Sequence, residues 1–311
     1  MGKITKTIII AFAVVGLYST TVFFTNTKDQ NTKESNNWVN AKEIVVPKKM
    51  SFAGEIVPIS RIDVKEQLER EIIVNTFYHS QTILLLKKVD RYFRIIEPIL
   101  KKNNIPDDFK YLAIAESGLS PTIVSPAGAV GLWQFMKGTA KDCGLEVNKQ
   151  IDERYNIEKS TQAACDYLNK QYEYFKNWTI VAASYNTGKR NVNKQIKRQK
   201  SDYYYDMLWN EETGRYVYRI LAMKVIINKP TKYGFYVDKK HPIIKTKKIT
   251  INKEVKNWAD FAHKQNISYK TLKNFNPWLR DTFLKNRKKN VYELTIPKET
   301  KYFVSKHNTS L

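Results

Sequence analysis

Residues Ala113–Met136 read AIAESGLSPTIVSPAGAVGLWQFM. An apolar helical run ends on one acidic residue, Glu116, and the composition then turns abruptly to Ser, Gly and Pro, which places a carboxyl group where helix gives way to loop. Two readings of that corner stand side by side: an ordinary helix C-terminus, or a carboxyl held partly inside the protein for acid/base work. The pattern on either side of it is helical. From Asp63, apolar residues recur at three- and four-residue steps through Val64, Leu68, Ile72 and Phe77, then through Leu85, Val89, Phe93 and Ile96, which predicts two helices ended by Asn103 and Asn104. Pro106 opens the next turn, and Asp107 or Asp108 is expected to cap the helix that climbs to Glu116.

Beyond the corner, Asn156 or Ser160 is expected to cap a helix whose inner face is Ala163, Ala164, Tyr167, Leu168 and Tyr172. WTIVAASYNTG is a further apolar helix ending at a polar elbow, Tyr185 to Gly188. A basic segment from Lys189 to Lys200, read as a solvated surface that also attracts anionic peptides, then leads to ETGRYVYRILAMKVII, which is helical again. Gly and Pro fall almost entirely at the breaks. The fold class is therefore mainly α, with a helical domain over residues 63–236.

The 311 residues, 42% of them hydrophobic, suffice for one large domain and a small one. A formal net charge of +23 favours polyanionic surroundings, whether nucleic acid, anionic lipid or an acidic wall polymer. Over half of that excess, +13, lies in residues 239–311. Two cysteines, Cys143 and Cys165, provide neither a disulfide framework nor a metal-binding cluster, so no metal or other cofactor is expected. They could form one bridge in an exported protein, although a small buried thiol is the commoner state.

Residues 1–26 carry Lys3 and Lys6 before an uncharged apolar run of 18 residues, Thr7–Phe24. A positive flank before such a run is a signal anchor or signal peptide that exports the remainder to the cell envelope, and it opposes contact with nucleic acid. Residues 27–62, rich in Asn, Thr, Lys and Ser with Pro47 and Pro58, show no sustained period and read as a linker. Residues 245–299 give an alternating segment, two short helices around Trp258 and Leu272, and a final strand from Tyr292 to Ile296, a small α+β unit in βααβ order.

Cleaving a glycosidic bond needs a proton delivered to the leaving oxygen, which a carboxylic acid supplies when burial raises its pKa towards neutrality. Glu116 follows Leu112, Ala113, Ile114 and Ala115 and meets that condition. A two-carboxylate glycosidase also needs an acid across the sugar, and the nearby Asp142, Asp152 and Glu153 sit in no comparable setting. One acid without a partner suits a substrate that brings its own nucleophile.

The run ESGLSPTIVSPAGAVGLWQFM, followed in order by IDERYNIEKSTQAACDYL, VAASYNTG and EETGRYVYRILA, resembles the family 23 lytic transglycosylases, relatives of goose-type lysozyme, and in detail their membrane-bound D type. The C-terminal βααβ unit is similar to a LysM module, though the Gly usual between first strand and helix is absent. The resemblance implies a lysozyme-like helical domain acting on peptidoglycan glycan strands, with Glu116 as the single acid/base and 1,6-anhydromuramyl ends as product. It implies substrate contacts for Ser117, Ser125, Gln134, Tyr185, Asn186, Glu212 and Tyr216, with the loop from Ser125 to Gln134 as a wall of the cleft. In the last motif Arg215 is displaced by one position, so the resemblance gives it no role. Trp133 and Phe135 are read equally as core or cleft wall. A hydrolytic lysozyme and a non-catalytic wall-binding protein remain the alternatives.

Overall fold

A computed structural model of the chain describes residues 44–299 and 303. The apolar segment within residues 1–26, and the linker as far as residue 43, lie outside them. No helix among the described residues is long and apolar enough to cross a membrane.

The chain enters through a two-residue hairpin, β1 (Ser51–Phe52) and β2 (Glu55–Ile56). Residues 44–62 are thus no linker: Phe52, Val57 and Ile59 are buried in the main core. The Glu55 carboxylate takes the Thr179 N–H at 2.9 Å and its hydroxyl at 2.6 Å, so the hairpin also caps a later helix. Composition concealed this because three isolated apolar residues set no period.

Eight helices follow in the helical unit: α1 (Ile62–Phe77), α2 (His79–Lys102), α3 (Lys110–Ser117), α4 (Lys137–Asp142), α5 (Ile157–Phe175), α6 (Trp178–Thr187), α7 (Lys189–Gln199) and α8 (Glu211–Asn228). Helix α8 is the centre of the unit. Its buried face includes Tyr216, Val217, Ile220, Leu221 and Ile226, and α1, α3 and α6 pack against it. Helix α1 presents Val64, Leu68 and Ile72, each fully buried, at the predicted helical step. Burying each such side chain contributes about 1.5–3 kcal/mol.

Neither Asp107 nor Asp108 caps α3, which is preceded instead by a 3-10 turn over Asp107–Phe109. Each carboxylate has a stronger partner: Asp107 pairs with Lys110 at 2.6 Å, and Asp108 accepts from Lys224 and from the Ala53 N–H, both at 2.7 Å. Charge-assisted bonds to a cation outcompete a neutral cap. Asn156 does cap α5, accepting from the Lys159 N–H at 3.1 Å. Cys143 and Cys165 are free thiols, and burial pushes the Cys165 thiol up to about 12, so it acts as a small apolar core residue.

Helix α7 is electrostatically unusual. Six cations and no acid occupy residues 189–200. Arg190 and Lys194, Lys194 and Lys197, and Lys194 and Arg198 stand three or four residues apart, where like charges each cost about 0.2–0.5 kcal/mol. Lys189 and Arg190 also oppose the dipole at the helix start. Only Val192 is buried, with Ile196 partly so.

The C-terminal segment forms β3 (Thr246–Ile251), α9 (Trp258–Lys264), α10 (Tyr269–Phe275) and β4 (Tyr292–Pro297), with β3 and β4 antiparallel and Ile249 opposite Leu294. Trp258, Leu272, Trp278, Leu284, Leu294 and Ile296 make its core. That core is shared. Val130, Ile151 and Tyr155 of the helical unit belong to the same buried cluster, and backbone bonds run from Asp152 N to Trp278 O at 2.9 Å and from Arg280 N to Gln150 O at 2.7 Å. The connecting residues lie along α2, with Lys240 paired to Asp90 at 2.9 Å and His241 N donating to Lys87 O at 2.7 Å. Residues 44–299 accordingly belong to one compact unit.

Candidate functional site

Helix α3 has eight residues, too few to be stable alone, and is held by burial of Tyr111, Leu112, Ala113 and Ile114. It stops where Gly118 takes the left-handed conformation, φ 56°, and its N–H returns to Ile114 O at 2.8 Å. Glu116 therefore sits in the last turn, partly buried. Its carboxylate accepts a hydrogen bond from the Tyr216 hydroxyl of α8. Burial pushes the Glu116 carboxyl from 4.5 up to about 7, against the lowering effects of the Tyr216 bond and of Arg219 and with a small upward push from Glu212. Burial, then the neighbouring Glu116 charge, holds Tyr216 and Tyr185 well above the ordinary phenol range, so both remain donors.

The loop after α3 is folded against the same corner. Val130 bridges both Val124 and Phe135, and Ser125 accepts from the Ala129 N–H at 3.0 Å. At Gly131, φ 82°, a Cβ would meet the Arg154 carbonyl oxygen at 2.1 Å, so only glycine fits. Arg154, itself buried, donates to Gly128 O and Phe135 O at 3.2 Å each and is held by Asp152 at 2.7 Å. Gln134 adopts φ 48° and donates its amide N–H to Gly131 O at 2.9 Å, and its side-chain oxygen has no hydrogen-bond partner among the described residues. Trp133 is core: it is fully buried and its indole donates to Thr161 at 2.9 Å.

Helix α6 brings Tyr185, whose hydroxyl donates to Trp133 O at 2.7 Å, and Asn186, whose oxygen accepts from Thr213 at 2.9 Å. The expected residues Glu116, Tyr185, Asn186 and Tyr216 thus come together through α3, α6 and α8. Others stand differently. Ser117 is buried and donates to Ala113 O at 3.0 Å, inside its own helix. Glu212 is exposed and pairs with Arg219 at 3.1 Å. Arg215 is drawn instead to α1, where it meets the buried Glu71 at 2.6 Å. Sequence reasoning missed Arg219 and Thr213, although Arg219 lies three residues beyond Tyr216 and seven beyond Glu212, on one helical stripe. It also missed Arg154, whose role depends on carbonyls more than fifteen residues away.

Among the described residues the one other carboxylate felt at Glu116 is Glu212, which is exposed and paired with Arg219 and so has no buried, proton-holding setting. Asp152 is occupied by Arg154, and Glu153 by Lys159 and the Glu146 N–H. No group of acidic, His or Cys side chains among them could hold a metal ion.

Residues 93–208 match the profile of the transglycosylase SLT domain, and residues 247–300 that of the soluble lytic transglycosylase C-terminal LysM-like domain. Glu116, Gln134, Tyr185 and Asn186 fall within the matched SLT residues, whereas Tyr216 lies just beyond them. Membrane-bound lytic murein transglycosylase D of Escherichia coli K12 is 27% identical over 226 residues, which cover 71% of this chain and 49% of that protein. A putative tributyltin chloride resistance protein of Alteromonas is 25% identical over 115 residues, 37% of this chain and 56% of that one. Among solved structures, the 70 kDa soluble lytic transglycosylase of Escherichia coli has a TM-score of 0.38 at 24% identity, covering 48% of this chain and 25% of its own. The chain spans about half the length of the curated relatives it matches.

Proposed function

We propose that this protein is a peptidoglycan lytic transglycosylase of the cell envelope. The observation that carries the reading is a buried carboxyl hydrogen-bonded to Tyr216 and raised to about 7 within the residues matched to the SLT domain, while the one other carboxylate felt there, Glu212, is exposed and tied to Arg219. Near neutral pH much of Glu116 holds its proton. In the first step it gives that proton to the oxygen joining N-acetylmuramic acid to N-acetylglucosamine, and the bond from that oxygen to the anomeric carbon breaks. The carboxylate left behind, steadied by the Tyr216 hydroxyl, then takes the proton of the muramyl 6-hydroxyl as that oxygen bonds to the anomeric carbon. The proton given is the proton regained, and no water is consumed. Tyr185 and Asn186 border the acid, and Gln134, held by its strained backbone, presents its oxygen from the loop wall. We assign export to the apolar segment at residues 7–24 and glycan contact to the LysM-like segment.

Mass spectrometry of products from purified sacculi tests this. Anhydromuramyl ends, lost in Glu116→Gln with the fold retained, are expected. Reducing ends would make the protein a lysozyme, and intact strands that still bind the protein would make it a wall-binding scaffold.

A further inference from the structure

Helix α7 begins three residues after Asn186 and carries the most concentrated charge of the helical unit. Arg190, Lys194, Lys197 and Arg198 are exposed, and none of the cations from Lys189 to Lys200 forms a salt bridge among the described residues. Lys189, Arg190, Asn191, Asn193, Lys194 and Lys197 line one open depression. Lys189 is fixed over the Tyr174 ring at 3.4 Å from its centroid. Asn191 is tied back to Thr187 O at 2.9 Å, which anchors the start of the helix to the site elbow. Mutual repulsion along this face, and its conflict with the helix dipole, meet no carboxylate among the described residues, whereas Lys110, Lys224, Arg215 and Lys240 each have one. Local rules broken without internal compensation mark a surface that meets its counter-charge outside the chain.

We propose that the α7 face docks the carboxylates of the peptide stems borne by peptidoglycan strands and so holds the strand while its sugar lies at Glu116. The proposal rests on the transglycosylase reading. A row of separate side-chain cations along about 10 Å of helix, from Arg190 to Lys197, suits carboxylates spaced along a polymer. Asparagines between them offer hydrogen bonds to peptide amides.

The test uses the full chain and an Arg190→Ser, Lys194→Ser, Lys197→Ser variant. The substrates are soluble strands bearing stems, the same strands stripped of peptide by an amidase, and strands whose stem carboxylates are chemically amidated. On stem-bearing strands the variant is expected to raise KM by on the order of tenfold with kcat unchanged, and the wild type to lose affinity as salt rises. On stripped or amidated strands the two proteins are expected to have the same KM. An equal loss on all three substrates, or no loss on any, overturns the proposal. So does an effect confined to vesicles of anionic phospholipid or to DNA. Cosedimentation with stem-bearing and stripped strands reads binding independently of turnover. Absence of cleavage in the wild type therefore counts against the transglycosylase reading alone, while equal binding to both strands counts against the α7 surface.

Discussion

Glu116→Gln is expected to stabilise the folded protein in alkali while abolishing cleavage, because the acid is held in a place that disfavours its charge. The unfolded chain releases the Glu116 proton near 4.5 and the folded protein near 7. Across that window the folded state binds a proton that the unfolded state has lost, so this group's contribution falls as pH rises. Below about 4.5 the carboxyl is neutral in both states and costs nothing. Above about 7 the whole difference is felt, which at about 1.4 kcal/mol per pH unit amounts to roughly 3 kcal/mol. Glutamine has nearly the same shape, still accepts from the Tyr216 hydroxyl and never ionises. Urea denaturation of both proteins at pH 4, 5.5, 7 and 8.5 isolates the effect, since every other titrating group is common to the pair. The difference is expected to lie within about 1 kcal/mol at pH 4 and to grow to about 3 kcal/mol in favour of the variant at pH 8.5. A difference independent of pH, or a variant that loses ground in alkali, would refute the argument that burial sets the acid.

Tyr216→Phe removes a hydrogen bond to the ionised carboxylate, and the alkaline limb of kcat/KM against pH is expected to move upward by about 1–2 pH units; a downward shift would show that the hydroxyl serves the neutral acid instead. Gly131→Ala places a methyl group against Arg154 O at a left-handed position and is expected to cost about 2–4 kcal/mol by thermal unfolding, with loss of cleavage. Trp278→Ala empties a buried site in the C-terminal core and is expected to cost about 3–5 kcal/mol. Hydrogen exchange on that variant should show lost protection at residues 124–135 together with the C-terminal segment; loss in the segment alone would separate the two.

The helices were legible because their apolar residues keep a steady step, as in Val64, Leu68 and Ile72, and the βααβ order of the tail was legible for the same reason. Glu116 stood out because an acid after four apolar residues is locally costly. What escaped were features made by distant partners. The Glu55 cap on α6 joins residues more than a hundred positions apart, and nothing in KKMSFAGEIVP announces it. Asp108 looked like a cap because its neighbours favour one, yet Lys224 and the Ala53 N–H claimed it. The direction of Arg215 follows from the rotation of α8, which the buried Tyr216 fixes and a motif alignment does not. Arg154, in the run IDERYNIEK, carries no local sign that it ties down two carbonyls of the loop.

Val130 has one side in each of two assemblies: it bridges to Val124 and Phe135 in the loop beside Glu116, and its side chain is counted in the core of Trp258, Leu279 and Leu294. Close-packed interiors transmit volume changes, so a methylene gained at residue 130 must be given up by its C-terminal neighbours. The tail is consequently not a cassette. A chimera that takes its last segment from a relative should fail unless residues 124–135 and 146–158 come from the same donor, and the lineage of this protein should have exchanged them as one block.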